Sequence, residues 1–146
     1  MFHKKFFSIN DFPTSQKTTN PTIVIIDDDE SCNISLRLML HDLHLNIICF
    51  TKGQEGLKYI LTNYDKISLI LLDLMMPDIN GLDVIKNLKN NKFTTHIPLI
   101  LQTGMTERKF LDQGFECGMN DYIFKPYDKQ NIIKAIQSNI LDYKKV

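Results

Sequence analysis

Three consecutive aspartates, Asp27, Asp28 and Asp29, stop the apolar run "TIVII". Two carboxylates about 4 Å apart repel by roughly 4 kcal/mol at an effective dielectric near 20. Such a cluster is either a solvated turn or a place where a cation sits. A fourth aspartate, Asp73, interrupts "SLILLDL", where a lone buried carboxylate would be costly. Thr103 ends "PLILQT", and Lys125 ends "DYIFK". Two or three carboxylates make a hard-oxygen site suited to Mg²⁺, which takes one or two protein carboxylates, waters and a substrate phosphate. A lysine and a hydroxyl opposite them suit the remaining oxygens of a phosphoryl group. A carboxylate beside such a metal can act as a nucleophile and form an aspartyl phosphate.

These residues are far apart in sequence, so a fold must gather them. From Pro21 onward, five short apolar runs alternate with helical stretches: "TIVII", "LNIICF", "SLILLDL", "IPLILQT" and "DYIFK". Runs of this kind fit strands of a parallel sheet buried on both faces. Between the first two, Cys32, Leu36, Met39, Leu40 and Leu43 share one helical face. Further helices are predicted over roughly 53–62, after Gly81, from Thr106 or Glu107, and after Pro126, with Tyr127-Asp128 supplying the last N-cap. Asp29 or Glu30 serves the start of the first helix, where negative charge is favoured. Five strands alternating with five helices predict an α/β domain, a (βα)5 doubly wound five-stranded parallel sheet. Ligands on such sheets bind at the carboxyl ends of the strands. Asp27, Asp28, Asp73, Thr103 and Lys125 all fall there. Residues 1–20 are polar and read as a flexible extension outside the fold, from which Phe6 and Phe7 could dock; residues 21–146 form the domain.

With these residues in place, the chain resembles a receiver domain of the two-component response-regulator family. The matching segments are "IIDD" (Asp27, Asp28), "LLDLMMPDINGLD" (Asp73, Met76, Pro77, Gly81), "LQT" (Thr103) and "FKP" (Lys125, Pro126), and they span about residues 22–142. Thirty residues separate Asp73 from Thr103, and 22 separate Thr103 from Lys125, which resembles family spacing. The resemblance implies a flavodoxin-like fold and these roles. Asp73 accepts phosphate from a phosphohistidine. Asp28 binds Mg²⁺ directly, Asp27 helps through water, and the backbone carbonyl of Met75 is a further ligand. Lys125 pairs with Asp73 and then with the phosphoryl group. Thr103 moves to the phosphoryl oxygen, and Tyr122 is the switch aromatic that follows it. The Lys125–Pro126 bond is expected to be cis. Pro77, Asn80 and Gly81 read as loop geometry, with Gly81 available for a positive φ. Met75 and Met105 stand two places after Asp73 and Thr103, where the family often has polar side chains. Two methionines there imply slow self-dephosphorylation.

The resemblance further implies a histidine kinase or histidine phosphotransfer protein as donor and a downstream protein at the face of helix 4, strand 5 and helix 5. Phosphorylation-dependent homodimerisation is left open. Nothing after Val146 could form an output domain, so the expectation is a stand-alone, chemotaxis-regulator-like receiver or a relay member. It would be a signalling protein with self-phosphorylation and self-dephosphorylation activity rather than a turnover enzyme.

Bulk properties narrow the alternatives. The 146 residues carry 17 basic and 17 acidic side chains, with only Arg37 and Arg108 as arginines. No basic run points to nucleic acid. Cys32, Cys49 and Cys117 are scattered and odd in number, with no zinc spacing, which favours a reducing compartment. His41 and His44 could share a helical face, but no third ligand lies close in sequence. The longest nearly apolar run is too short to span a bilayer, and "MFHKKFFSIN" has no apolar stretch of signal-peptide type. The expectation is a cytoplasmic protein. No GxGxxG or P-loop occurs. "IIDDDES" also fits the Asp-x-Asp signature of haloacid-dehalogenase-type phosphatases, with Asp27 as nucleophile and Asp29 as acid. That family needs a later acidic motif which "PYDKQNIIKAIQSN" lacks. A degenerate receiver that binds partners without phosphorylation is the third reading.

Overall fold

Five short runs become strands: leucine and β-branched side chains dominate the three inner ones, and aromatic and polar residues enter the two at the edges. These are β1 (Thr22–Ile26), β2 (Asn46–Phe50), β3 (Leu69–Asp73), β4 (Leu99–Thr103) and β5 (Asp121–Phe124). The helices are α1 (Glu30–Leu40), α2 (Gly53–Asn63), α3 (Gly81–Lys89), α4 (Arg108–Cys117) and α5 (Lys129–Asn139). The computed structural model describes residues 20–104 and 108–140. The expected N-terminal extension with Phe6 and Phe7, residue Met105, and a start of α4 at Thr106 or Glu107 lie outside the described residues.

All strand pairings are parallel and the order is β2-β1-β3-β4-β5. The chain leaves β1 toward β2 on one side and returns to β3 on the other. That reversal opens the crevice in which sheets of this type bind ligands. The expected (βα)5 flavodoxin-like architecture is therefore observed. Burial on both faces holds for the inner strands: β3 and β4 are buried throughout, and β1 is buried from Ile23 onward. β2 and β5 are the sheet edges and are only partly covered.

Side-chain alternation divides the core into two layers. Val24, Ile26, Ile70, Leu72, Leu99 and Leu101 face α2, α3 and α4. Ile23, Ile25, Leu69, Leu71, Ile100 and Ile123 face α1 and α5. Fully burying a leucine or isoleucine contributes about 1.5–3 kcal/mol, so this interior strongly favours apolar groups. A polar side chain at a strand end survives there only with partners.

Three helices begin on side-chain caps in their own sequence. Asp29 accepts from the Ser31 amide at 2.9 Å, Asn80 from Leu82 at 2.8 Å, and Asp128 from Asn131 at 2.8 Å. The Asp29 and Asp128 caps match the sequence expectation. α2 lacks one: its N-cap, Lys52, makes no capping bond.

Candidate functional site

The parallel register places the strand ends side by side. Asp73 is the ladder partner of Gln102, Gln102 of Ile123, and Thr103 of Phe124. Asp27 continues from β1, its amide bonded to the Phe50 carbonyl at 3.0 Å. Among the described residues, Asp27, Asp28 and Asp73 form a group able to share one cation. One carboxylate oxygen from each lies within 4.8 Å of the others. Asp28 is exposed, whereas Asp27 and Asp73 are buried.

Asp27 is fully engaged. Its Oδ1 accepts from the Asp29 amide at 2.9 Å, and its Oδ2 accepts from Lys125 Nζ at 2.5 Å and Gln102 Nε2 at 3.3 Å. Its carbonyl accepts from Asn33 Nδ2 at 3.0 Å. Lys125 Nζ also stands 3.7 Å from Asp73 Oδ1, so one ammonium lies between two carboxylates. Burial opposes the Lys125 charge, but the Asp27 hydrogen bond and the charges of Asp73 and Asp27 outweigh it and hold the ammonium above the ordinary lysine range. Burial pushes the Asp73 carboxyl up to about 6. Lys125 counteracts that, while Asp27 and Asp28 add to it. The cluster is short of positive charge. An all-oxygen set with one solvent-facing member fits a hard divalent ion such as Mg²⁺.

The loop from β3 to α3 carries Met75, whose side chain is 61% exposed beside buried Leu74 and Met76. Both ends of the loop are fixed. The Gly81 amide donates to the Leu74 carbonyl at 2.9 Å. A Cβ on Gly81 would lie 2.7 Å from the Asp73 carbonyl oxygen and 2.8 Å from Leu74 Cα. Space explains this glycine. Its tolerance of a positive φ is not used, and among the described glycines only Gly118 has one. Further along the loop, the Asp78 carboxylate reaches α2 and accepts from the Gly53 amide at 3.1 Å and the Gln54 amide at 2.9 Å. It supplies the cap α2 lacks. The Gln54 bond foremost, with that from Gly53, holds this carboxyl below the usual range.

Thr103 closes β4, 2% exposed, and its carbonyl accepts from the Lys125 amide at 2.8 Å. Tyr122 is not part of the acidic cluster. It packs on the α2–α4 layer, edge-on to Phe115 with centroids 6.0 Å apart and tilted against Phe124 at 5.1 Å. Phe115 and Phe124 are exposed, and a groove lined by Arg108, Leu111, Asp112, Phe115 and Tyr122 runs beside them. The Lys125–Pro126 bond is cis, as expected.

Asp27, Asp28, Asp73 and Lys125 thus converge directly. Three contributors escape the sequence reading: Asn33, buried in α1 beneath the Asp27 carbonyl, Gln102 and Asp78. Gln102 is a buried polar residue hidden behind Thr103 in "LILQT", and the polar position in an otherwise apolar strand was its signal. Asp78 gave no local signal, because it caps a helix 25 residues earlier. The phosphatase arrangement is not supplied: Asp27 is 0% exposed with both oxygens bonded, and Asp29 is committed to capping α1. His41 pairs with Asp42 at 3.0 Å and lies outside the cluster, and the cysteines are free thiols.

Comparison with known proteins agrees with this geometry. Residues 23–137 match the family described as "Response regulator receiver domain". The transcriptional regulatory protein ResD of Bacillus subtilis is 33% identical over 123 residues, covering 84% of this chain and 49% of ResD. The response regulator ArlR of Staphylococcus saprophyticus is 32% identical over 131 residues, covering 84% of this chain and 57% of ArlR. The chain spans about half the length of these two relatives. Two crystal structures share the fold. One is the chemotaxis response regulator CheY4 of Vibrio cholerae, with TM-score 0.76, 20% identity, and 82% and 98% of the two chains covered. The other is a response regulator receiver domain protein of Clostridium thermocellum, with TM-score 0.75, 24% identity, and 82% and 93% covered. Among the described residues no helix is long and apolar enough to cross a membrane. Residues 23–137 carry both the family's sequence pattern and its fold, and the chain belongs to the response regulator receiver domain family of two-component signalling.

Proposed function

We propose that this receiver takes a phosphoryl group from a phosphohistidine onto Asp73 and thereby switches partner binding. The observation that carries the reading is the convergence of three carboxylates and one ammonium at the carboxyl edge of the sheet. An Asp73 carboxylate oxygen attacks phosphorus; the P–N bond to the donor imidazole breaks, and its electron pair returns to the ring nitrogen. Asp28, Asp27, Asp73 and the Met75 carbonyl would hold Mg²⁺, with Asp27 acting through water because its own oxygens are occupied. When bound, the ion neutralises the oxygens of the transferring group. Lys125 needs little movement to pair with a phosphoryl oxygen on Asp73. Thr103 supplies a hydroxyl to the same group, and Tyr122, already packed on the α2–α4 layer, follows it inward.

The donor is a histidine kinase or histidine phosphotransfer protein, and the site of action is the cytoplasm. The reader of the switch is a protein, or a second copy of the receiver, at the face of α4, β5 and α5, where Phe115, Tyr122 and Phe124 flank a groove. Hydrolysis by water regenerates Asp73. Met75, exposed two residues after Asp73, offers attacking water no good hydrogen bond, which favours a long-lived phosphoryl group. The test is incubation with a small phosphodonor and Mg²⁺, followed by intact-mass measurement. One phosphoryl group per chain is expected on the parent and none on Asp73→Asn. No label on the parent would leave the degenerate binding module as the better reading, and a label surviving the substitution would sink Asp73 as acceptor.

A further inference from the structure

One buried polar chain has no part in the chemistry just described. Gln102 is 0% exposed and faces the α1 and α5 layer. Leaving such an amide unpaired in the interior is costly, yet both of its ends are paired. Its Oε1 accepts from the Tyr127 hydroxyl at 3.1 Å, and its Nε2 donates to Asp27 Oδ2 at 3.3 Å. Burial keeps the Tyr127 phenol protonated well above its usual range, so the phenol donates. That bond fixes the sense of the amide, with oxygen toward Tyr127 and NH₂ toward Asp27.

Asp27 Oδ2 therefore has two donors, the Lys125 ammonium and the Gln102 amide. Under the phosphoacceptor reading, on which this inference rests, Lys125 turns toward a phosphoryl oxygen on Asp73. Asp27 is then a buried carboxylate losing its nearest positive charge, a costly state unless another donor remains. We propose that Gln102, oriented by Tyr127, is a positioning residue that holds Asp27 while Lys125 transfers to the phosphoryl group. It sets how readily the lysine leaves. The side-chain hydrogen bonds of Gln102 run to Asp27 and Tyr127 rather than to Asp73, so the pair acts through Asp27.

Two substitutions test this. Gln102→Met keeps the length of the side chain and removes its polar ends; Tyr127→Phe removes only the orienting hydroxyl. The first measurement is metal-free urea unfolding of Gln102→Met, Lys125→Met and the double variant. Because each donor covers for the other, the double variant should lose about tenfold more in the folding constant than the two singles multiplied together. Simple additivity overturns the proposal. The second is titration with Mg²⁺ alone and with beryllofluoride in saturating Mg²⁺, as a stable phosphoryl analogue. Gln102→Met should weaken the analogue about tenfold and Mg²⁺ less than about twofold, with Tyr127→Phe between parent and Gln102→Met. Equal losses for both ligands mean that Gln102 only shapes the acidic cluster, and they overturn the proposal too. If Gln102→Met does not fold, Tyr127→Phe carries the same comparison. A parent protein that binds no analogue sinks the phosphoacceptor reading instead, so the two failures are distinct.

Discussion

Replacing Asp73 by asparagine should stabilise the metal-free fold at neutral pH. The carboxyl is raised from the ordinary 3.8 to about 6, first by burial and then by the charges of Asp27 and Asp28, with Lys125 only partly offsetting them. Its side chain is 12% exposed, so little solvent screening reduces the effect. The gap between the two values corresponds to about 3 kcal/mol. The sign follows from linkage. The folded state binds this proton more tightly than the unfolded chain does. Stability is therefore complete below the unfolded value near 4 and is lost as pH rises toward the folded value near 6. Above that, the loss is constant. A domain of this size is stable by about 5–15 kcal/mol, so the effect is a sizeable fraction of the whole. Urea unfolding of parent and Asp73→Asn in EDTA, from pH 4 to pH 8, isolates the carboxyl because the other groups titrate in both proteins. The difference should be near zero or favour the parent at pH 4. It should then swing toward the variant by about 2–3 kcal/mol by pH 7. A flat difference across that range, or one favouring the parent more as pH rises, would refute the account of a carboxylate held in the fold at a cost.

Mg²⁺ should reverse part of that cost in the parent. At about 100 times its dissociation constant it adds about 2.7 kcal/mol, read as a rise in Tm that is smaller in Asp73→Asn; a Tm indifferent to Mg²⁺ counts against the site. Met75→Asn should shorten the lifetime of the phosphoryl group several-fold when phosphate release is timed, and an unchanged lifetime removes Met75 as a shield. Asp78→Ala deletes the cap on α2 and should cost about 1 kcal/mol in urea, while Asp78→Asn should retain part of it. Gly81→Ala would push a methyl into the Asp73 and Leu74 backbone; a loss of about 1–3 kcal/mol is expected, together with weaker Mg²⁺ binding by calorimetry.

Much of this was legible because the informative residues break a local rule. Asp73 stands out in "SLILLDL" because an aspartate contradicts its apolar neighbours, and Asp27 and Asp28 stand out because like charges should not cluster. The inner strands are legible for the opposite reason: nearly every position in them agrees with burial. Partners that meet only in three dimensions were not. Gln102 sits next to Thr103, so it passed for the polar end of a strand. Its meaning depends on Tyr127, from the start of α5, and on Asp27, from the end of β1. Asp78 looks like an ordinary turn residue until the start of α2 comes within reach of its carboxylate. Gly81 reads in sequence as loop geometry, and only the fold shows that crowding against Asp73 and Leu74 is what requires it.

The alternation along β4 has a consequence for how such a protein can change over time. Thr103 and Gln102 are sequence neighbours, yet the pleat sends them to opposite sides of a sheet whose inner strands are sealed by leucine and isoleucine. The sheet is thus an insulator between two compartments, and the proposed phosphorylation of Asp73 would be the one event both answer to. Substitutions among Phe115, Tyr122 and Phe124 alter one side of the sheet without touching the Tyr127–Gln102–Asp27 bonds, which lie on the other. A one-residue insertion in β4 would exchange the compartments and destroy both.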